Sequence, residues 1–309
     1  MKALIPKPFE VLQNDAIAID SAVIPSYQEG ASYVAGDKVI VTVPANHPAI
    51  DVAAIDTIFE AADDVSVSPL VDPLGWINRG AIDAHKMFDK YESTASEFAQ
   101  NGVLELRAQR CSAAFLGRAS GRIKIELFLS LQDAPFWTTI VDRKTAHYEP
   151  TSGWYDYFYP ELVSEGEAGD TIVEFPASDY DMRARFTALG ASGASIGRIA
   201  LGAMYRLGDT IVNPTTAISD YSVKETDETG ETYLKPRSFA KSGSFQILVR
   251  TSEVDRVYNA LVKLRARPTA WIGDDRFDVA IIYGFYRDFS IVLSGQAYCE
   301  CSLEIEGLT

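Results

Sequence analysis

The residues best equipped for chemistry in this chain are few and scattered. The three histidines, His47, His85 and His147, stand far apart, and none shares the His-x-x-x-His spacing by which a helix offers two imidazoles to one metal. A phosphate-binding glycine loop and a dinucleotide fingerprint are both missing. Asp63 with Asp64, and Asp274 with Asp275, could supply paired carboxylates for glycoside hydrolysis, although adjacent acids usually mark a solvated turn. Of the three cysteines, Cys111 is remote, while Cys299 and Cys301 alternate on a strand and share a face. All three read as structural thiols. The sequence therefore predicts no catalytic site, no metal and no cofactor.

Binding is a different matter. Trp154, Tyr155, Tyr157, Phe158 and Tyr159 surround Asp156, and such rings can stack on sugar faces while an acid accepts from hydroxyls. The same aromatic density serves packing and subunit interfaces, so both readings stay open. Lys224 to Glu231 gathers Glu225, Asp227, Glu228 and Glu231, but it lacks the fixed ligand offsets of a calcium loop and reads as a hairpin tip. Lys263, Arg265 and Arg267 sit where a helix end favours cations, which accounts for them without an anion.

These groups need elements to hold them, and the pattern predicts mainly strands. Ile123, Ile125, Leu127 and Leu129 alternate with Lys124, Glu126, Phe128 and Ser130, as on a half-buried strand. Further strands are predicted at Val103 to Ala108, Phe136 to Val141, Thr171 to Phe175, Met182 to Ala188 and Ser195 to Leu201. Short strands joined by Gly-, Ser- and Pro-containing turns point to an antiparallel β-sandwich or jelly roll over residues 76–213. Before it, 27–75 reads as a small β module: Tyr33, Gly36 and Asp37 make a turn, Val39 to Val43 a strand, and Ile55 to Ala61 an apolar stretch of open type. Pro69, Pro73 and Gly75 place a boundary near residue 75. Residues 1–26 carry the β-prone Ala16 to Ile24, fitting a leading arm or an edge strand.

The last segment, 214–309, is α+β. A hairpin arm runs from Tyr221 through a tip at Asp227, Glu228, Thr229 and Gly230 and returns towards Phe245. Ser252 is expected to cap a helix by accepting from the Asp255 amide, and Arg265, Arg267 and Pro268 to mark its end. Val254, Val257, Tyr258, Leu261 and Leu264 predict one apolar stripe on that helix, packed on the strands that follow.

Composition bounds the function. In 309 residues, 43 acidic side chains oppose 28 basic ones, a net charge of −15 that repels phosphate backbones and argues against nucleic-acid recognition. No apolar run is long enough to span a bilayer, and Met1 to Leu12 lacks the pattern of a signal peptide, so synthesis and folding in the cytoplasm are expected.

Trp76, Gly80, Lys86, Met87, Phe88 and Asp89 stand at spacings that resemble a motif in tail proteins of long, flexible-tailed bacteriophages, where a tryptophan and glycine precede a Met-Phe-Asp run. The Tyr-x-x-Gly-Asp-x-Val segment at Tyr33 to Val39, similar to small carbohydrate-binding modules, often lies upstream in that family. Ile199 to Asp209, Asp220 to Glu231, Ala266 to Gly273, Tyr283 to Ser290 and Cys301 to Thr309 also resemble the family pattern. The chain departs from it at Ile82, Asp83, Ala84 and His85, where relatives tend to carry Thr-Asn-Arg and a tryptophan. The resemblance implies a structural, non-enzymatic protein of the virion's tail tip or baseplate, with a tail-tube-like domain at 214–309 and a carbohydrate-binding-like sandwich at 76–213. It implies a homo-oligomeric ring, trimer or hexamer, meeting tail-tube, hub or tape-measure proteins, with DNA passing an acidic lumen without specific binding. Tyr221, Val223, Glu225 and Tyr233 would form the assembly arm. Trp154, Tyr155 and Tyr157 would contact a host-surface glycan, in a second role or, as an alternative, as the main one: adhesion.

Overall fold

The computed structural model describes residues 1–44, 54–89, 94–129, 133–143, 168–211, 214–226, 232–274, 277–293 and 297–308. Its elements in chain order are β1 (Lys2–Pro6), β2 (Phe9–Asn14), α1 (Asp20–Val23), β3 (Lys38–Pro44), β4 (Ala54–Ala61) and β5 (Trp76–Ala81). After a 3-10 turn at Asp83–Phe88 come β6 (Ser96–Phe98), β7 (Val103–Leu129), β8 (Trp137–Asp142), β9 (Gly169–Ile196), β10 (Arg198–Arg206) and β11 (Asp209–Thr210). The chain then forms β12 (Thr215–Asp220), β13 (Val223–Thr226), β14 (Thr232–Lys235), β15 (Phe239–Arg250), α2 (Val254–Leu264), β16 (Thr269–Ile272), β17 (Ile281–Val292) and β18 (Tyr298–Gly307). The protein is mainly β, and its strand ladders are antiparallel.

Thirteen of these strands share one sheet, ordered β11, β15, β18, β17, β16, β1, β10, β7, β9, β6, with β12 on β15 and both β2 and β8 on β7. Of the short strands expected between 103 and 201, Phe136 to Val141 is the separate β8 and Ser195 to Leu201 falls across the end of β9 and the start of β10, while Val103 to Ala108 and Ile123 to Leu129 merge into β7, of 27 residues, and Thr171 to Phe175 and Met182 to Ala188 into β9, of 28. Both survive their internal bends because special backbone positions absorb them: Arg110, Arg118 and Gly121 in β7 have φ of 54°, 47° and 79°. The bends let the two ends of β7 flank one stretch of β9. Val103 to Gln109 pairs with Thr187 to Asp181 on one side, and Ile123 to Leu129 with Ala188 to Met182 on the other. Gly193, at φ +70°, closes this region so tightly that a Cβ would lie 2.0 Å from the Phe98 carbonyl oxygen. Ile123, Ile125 and Leu127 are buried as their alternation predicts. Phe128, on the opposite face, is buried too, because the Arg183 and Arg185 guanidinium groups cover its ring at 5.3 and 4.7 Å.

The small three-stranded sheet is β3, β4, β5. It crosses position 75: Trp76 pairs with Ala61, so the Pro- and Gly-rich break is a connection within one sheet. The stretch from Ala16 to Ile24 corrects another expectation. Asp20–Val23 is a short helix, and the leading strands are β1 and β2. β1 belongs to both larger units, pairing with β10 on one edge and β16 on the other.

Three clusters of buried side chains follow this plan. Leu104, Leu106, Ile125, Phe186 and Met87 form one core between β7, β9 and the 3-10 turn. Phe245, Ile247, Trp271, Leu303 and Ile305 form another, on which α2 lays Val257, Leu261 and Leu264. Each such side chain withdrawn from water contributes about 1.5–3 kcal/mol. Tyr258, expected on that stripe, is 54 % exposed, and Ala260 takes a buried place instead. Ser252 does not cap the helix. Thr251–Glu253 forms a 3-10 turn, so α2 begins one residue later, with Glu253 at the N-cap and no side-chain cap bond. Between the two cores, Leu4, Phe115, Ala200, Ala270 and Tyr283 make a thin junction on the shared sheet.

Candidate assembly arm

β15 carries the site. Its first half, Phe239 to Ser244, pairs on one edge with β12, from Asp220↔Phe239 to Thr215↔Ser244, and from Ser242 to Arg250 its other edge pairs with β18. Beyond that ladder the chain leaves the sheet as a two-stranded ribbon, β13 against β14, paired Val223↔Lys235, Lys224↔Leu234, Glu225↔Tyr233 and Thr226↔Thr232. The exit is set by local polar chemistry. Asp220 Oδ1 accepts the Ser222 N–H at 2.8 Å, and Ser222 Oγ accepts the Arg237 N–H at 3.0 Å, pinning the base of the ribbon on both sides. Hydrogen bonds from Ser222 hold the Asp220 carboxyl below its ordinary value.

Residues directly opposite in an antiparallel pair share a face. One face of the ribbon therefore presents Val223, Glu225, Tyr233 and Lys235, and the other Lys224, Thr226, Thr232 and Leu234. Three of the four residues read from the sequence as arm contacts, Val223, Glu225 and Tyr233, lie together; Tyr221 sits at the base, exposed. Glu225 pairs with Lys235 at 2.7 Å, so its carboxylate is engaged by the neighbouring strand.

The apolar side chains here are exposed. Ile218 is 69 % exposed and Leu234 74 %, and Tyr221, Tyr233 and Phe239 are also open to solvent. None of residues 215–226 or 232–239 belongs to a buried apolar cluster. A two-stranded ribbon without a core is marginal by itself, and its free edges offer backbone N–H and C=O groups to another chain. Exposed apolar side chains concentrated on such an element are the physical signature of an interface. A second exposed apolar group, Val292, Leu293 and Tyr298, lies at the turn end of the β17–β18 hairpin. Tyr298 pairs with Arg250 and Asp220 with Phe239, so the two groups occupy opposite ends of the 12-residue β15, about 40 Å apart at the usual strand rise. The hairpin end carried no signal in the sequence beyond a run of β-prone residues.

The other predicted sites resolve differently. Trp154, Tyr155 and Tyr157, with Phe158, Tyr159 and His147, lie outside the described residues, as do His47, Asp275 and the arm tip Asp227 to Glu231. Tyr33, Gly36 and Asp37 form a turn, with Asp37 Oδ2 accepting the Val34 N–H at 2.9 Å. Tyr33 packs edge-on against Trp76 at 5.5 Å, and Trp76 is buried with its indole N–H donating to the Val67 carbonyl at 2.8 Å. Those aromatic groups serve the core of the small sheet. Met87 and Phe88 are buried in the larger core, and His85 accepts the Asp56 N–H through Nδ1 at 2.9 Å. Asp63 and Asp64 are exposed in a turn, and Lys263, Arg265 and Arg267 are exposed at the end of α2. All three cysteines are buried thiols outside any disulfide. Among the described residues no group of three or more His, Cys, Asp or Glu side chains could hold a metal ion, and no described helix is long and apolar enough to cross a membrane.

Compared with known proteins, the sequence matches no family model and no curated protein.

Proposed function

We propose that this chain is a structural subunit of a bacteriophage tail tip or baseplate, and that the β12–β14 arm joins it to its neighbours in a ring. The observation that carries this reading is the arm: an uncored ribbon with open edges and exposed Ile218, Tyr233, Leu234 and Phe239, anchored on the edge of the main sheet. Exposed apolar groups at the two ends of β15 suit a head-to-tail contact, in which the arm of one copy meets a different surface of the next, and such contacts close into rings. In this reading 1–6 and 214–309 act as the tail-tube-like unit, 76–213 as an outward β-sandwich, and 27–75 as a small module on it. The family resemblance across Trp76 to Asp89 and the C-terminal segments supports the same assignment. DNA would pass through the lumen without specific binding, favoured by the net charge of −15.

The test is deletion of Val223 to Leu234. The shortened chain is expected to keep its circular dichroism and thermal transition while sedimenting as a monomer under conditions where the full chain forms rings. Normal ring formation by the deletion overturns the proposal. Saturable binding on a glycan array, abolished by Trp154→Ala, would instead favour adhesion as the primary role.

A further inference from the structure

Away from the arm, exposed apolar side chains concentrate on one tight turn of the small sheet. Between β4 and β5 the chain leaves Val67, Leu70, Val71 and Leu74 open to solvent, and Leu74, at 92 %, is the most exposed large apolar side chain among the described residues. The turn is pinned from within. The Ser68 carbonyl accepts the N–H groups of Val71 and Asp72, both at 2.9 Å. Asp72 Oδ1 accepts those of Leu74 and Gly75, both at 3.3 Å, and the indole N–H of buried Trp76 donates to the Val67 carbonyl at 2.8 Å. A Cβ on Gly75 would lie 2.7 Å from Asp72 Oδ2 and 2.8 Å from Val65 Cγ1, so the turn closes tightly on that glycine. Apolar groups held in place by such bonds lose little further freedom when a partner covers them. Their surroundings are acidic: Ala62 to Gly75 contains Asp63, Asp64 and Asp72 and no base, and none of the three acids forms an ion pair with a described residue.

The complementary surface is on α2. Its outward side presents Tyr258 and Val262, one turn apart and 54 and 52 % exposed, with the Phe289 ring of β17 at 6.3 Å from that of Tyr258. Asn259 to Arg267 contains Lys263, Arg265 and Arg267 and no acid. All three cations are exposed, and none is in an ion pair with a described residue. A chain of net charge −15 repels its own copies, so contact between copies is favoured where local charges of opposite sign meet.

We propose that the 70–74 turn of one copy docks on the Tyr258 and Val262 stripe of the next, with Val71 and Leu74 covering the apolar side chains and Asp63 and Asp64 meeting the cations at the end of α2. Both surfaces are open in the single chain, so a second molecule is needed to join them. The choice of a second copy as occupant rests on the reading of this chain as a ring-forming subunit. A handful of side chains buries far less than the roughly 1,200 Å² of a stable interface, so this contact orients neighbours that the arm joins and does not hold them alone.

Disulfide crosslinking of the full-length chain tests this. One sample carries Val71→Cys and a second Val262→Cys; the two are mixed, mildly oxidised and digested, and mass spectrometry reads the peptide pair joined through the new thiols. The native cysteines are buried and stay out of the reaction. A mixture of Val71→Cys with Val23→Cys, a 78 % exposed site on α1, gives the background of random collision. The expected yield is about tenfold above that background. It should fall to background when the first chain also carries Asp63→Lys and Asp64→Lys, and return when the second then carries Arg265→Glu and Arg267→Glu. A yield at background, or one indifferent to the charge reversals, overturns the proposal. Rings in sedimentation without this disulfide leave the arm standing and remove the second contact, whereas the disulfide without rings supports the contact and counts against the ring.

Discussion

At the scale of single residues, burial decides what the chemically capable groups do. Cys111 and Cys301 lie in apolar surroundings that push their thiols up to about 11 and about 12, so little thiolate forms near neutrality. A disulfide-exchange reagent should label these two slowly in the native protein and rapidly after denaturation; fast native labelling, read by mass spectrometry, would contradict their enclosure. His85 shows a pH effect whose sign follows from its hydrogen bond. Nδ1 accepts the Asp56 N–H, which requires the neutral ring, and burial pushes the imidazole below its ordinary 6.5 while the Asp56 carboxylate opposes that shift. The folded chain thus binds fewer protons than the unfolded chain as pH falls through 6.5, so the stabilisation is complete above that value and is lost below it. Urea midpoints between pH 7.5 and 5 should fall in the native protein, and this part of the slope should vanish in His85→Gln. Ser252→Ala should change stability by no more than about 0.5 kcal/mol because no cap bond exists, whereas Leu261→Ala should cost about 2–5 kcal/mol. A large Ser252→Ala effect in chemical denaturation would mean that the helix starts earlier than Val254.

At the scale of elements, periodicity was a sound guide wherever one face of an element meets a core. The alternation at Ile123, Ile125 and Leu127 and the spacing of Val257, Leu261 and Leu264 could be read directly, because a period of 2 or 3.6 is itself the record of one-sided burial. It failed where a second layer covers the other face, as the two arginines cover Phe128. It also could not distinguish short strands from the bent β7 and β9, since the bends rest on backbone conformations of single residues such as Arg110 and Arg118. The arm was legible as a hairpin, but the exposure of its apolar residues was not. Leu234→Asp combined with Tyr233→Ser should therefore leave the unfolding midpoint within about 0.5 kcal/mol of native, as expected for side chains outside any core. The same double variant should weaken self-association in sedimentation; a loss of stability instead would place these side chains in the fold of the single chain.

At the scale of the whole molecule, β1 is what makes one sheet of two units. Five residues from the extreme of the sequence pair with β10 and β16, and Met1 and Ala3 pack into the same core as α2. Polar contacts reinforce that joint: Lys241 of β15 reaches Asp170 of β9 at 2.5 Å, and Arg143 binds Asp278 at 2.7 Å. The sequence by itself determined the mainly β character, the place of the long helix and the hairpin, because each depends on residue type and on neighbours a few positions away. Only the tertiary structure decided that β3, β4 and β5 form one sheet across residue 75, that Arg198 is buried over the Tyr283 ring, and that the arm's apolar side chains face solvent. Those outcomes depend on which distant strands pair and which faces they cover, and such long-range pairings leave no fixed spacing in the chain to be read.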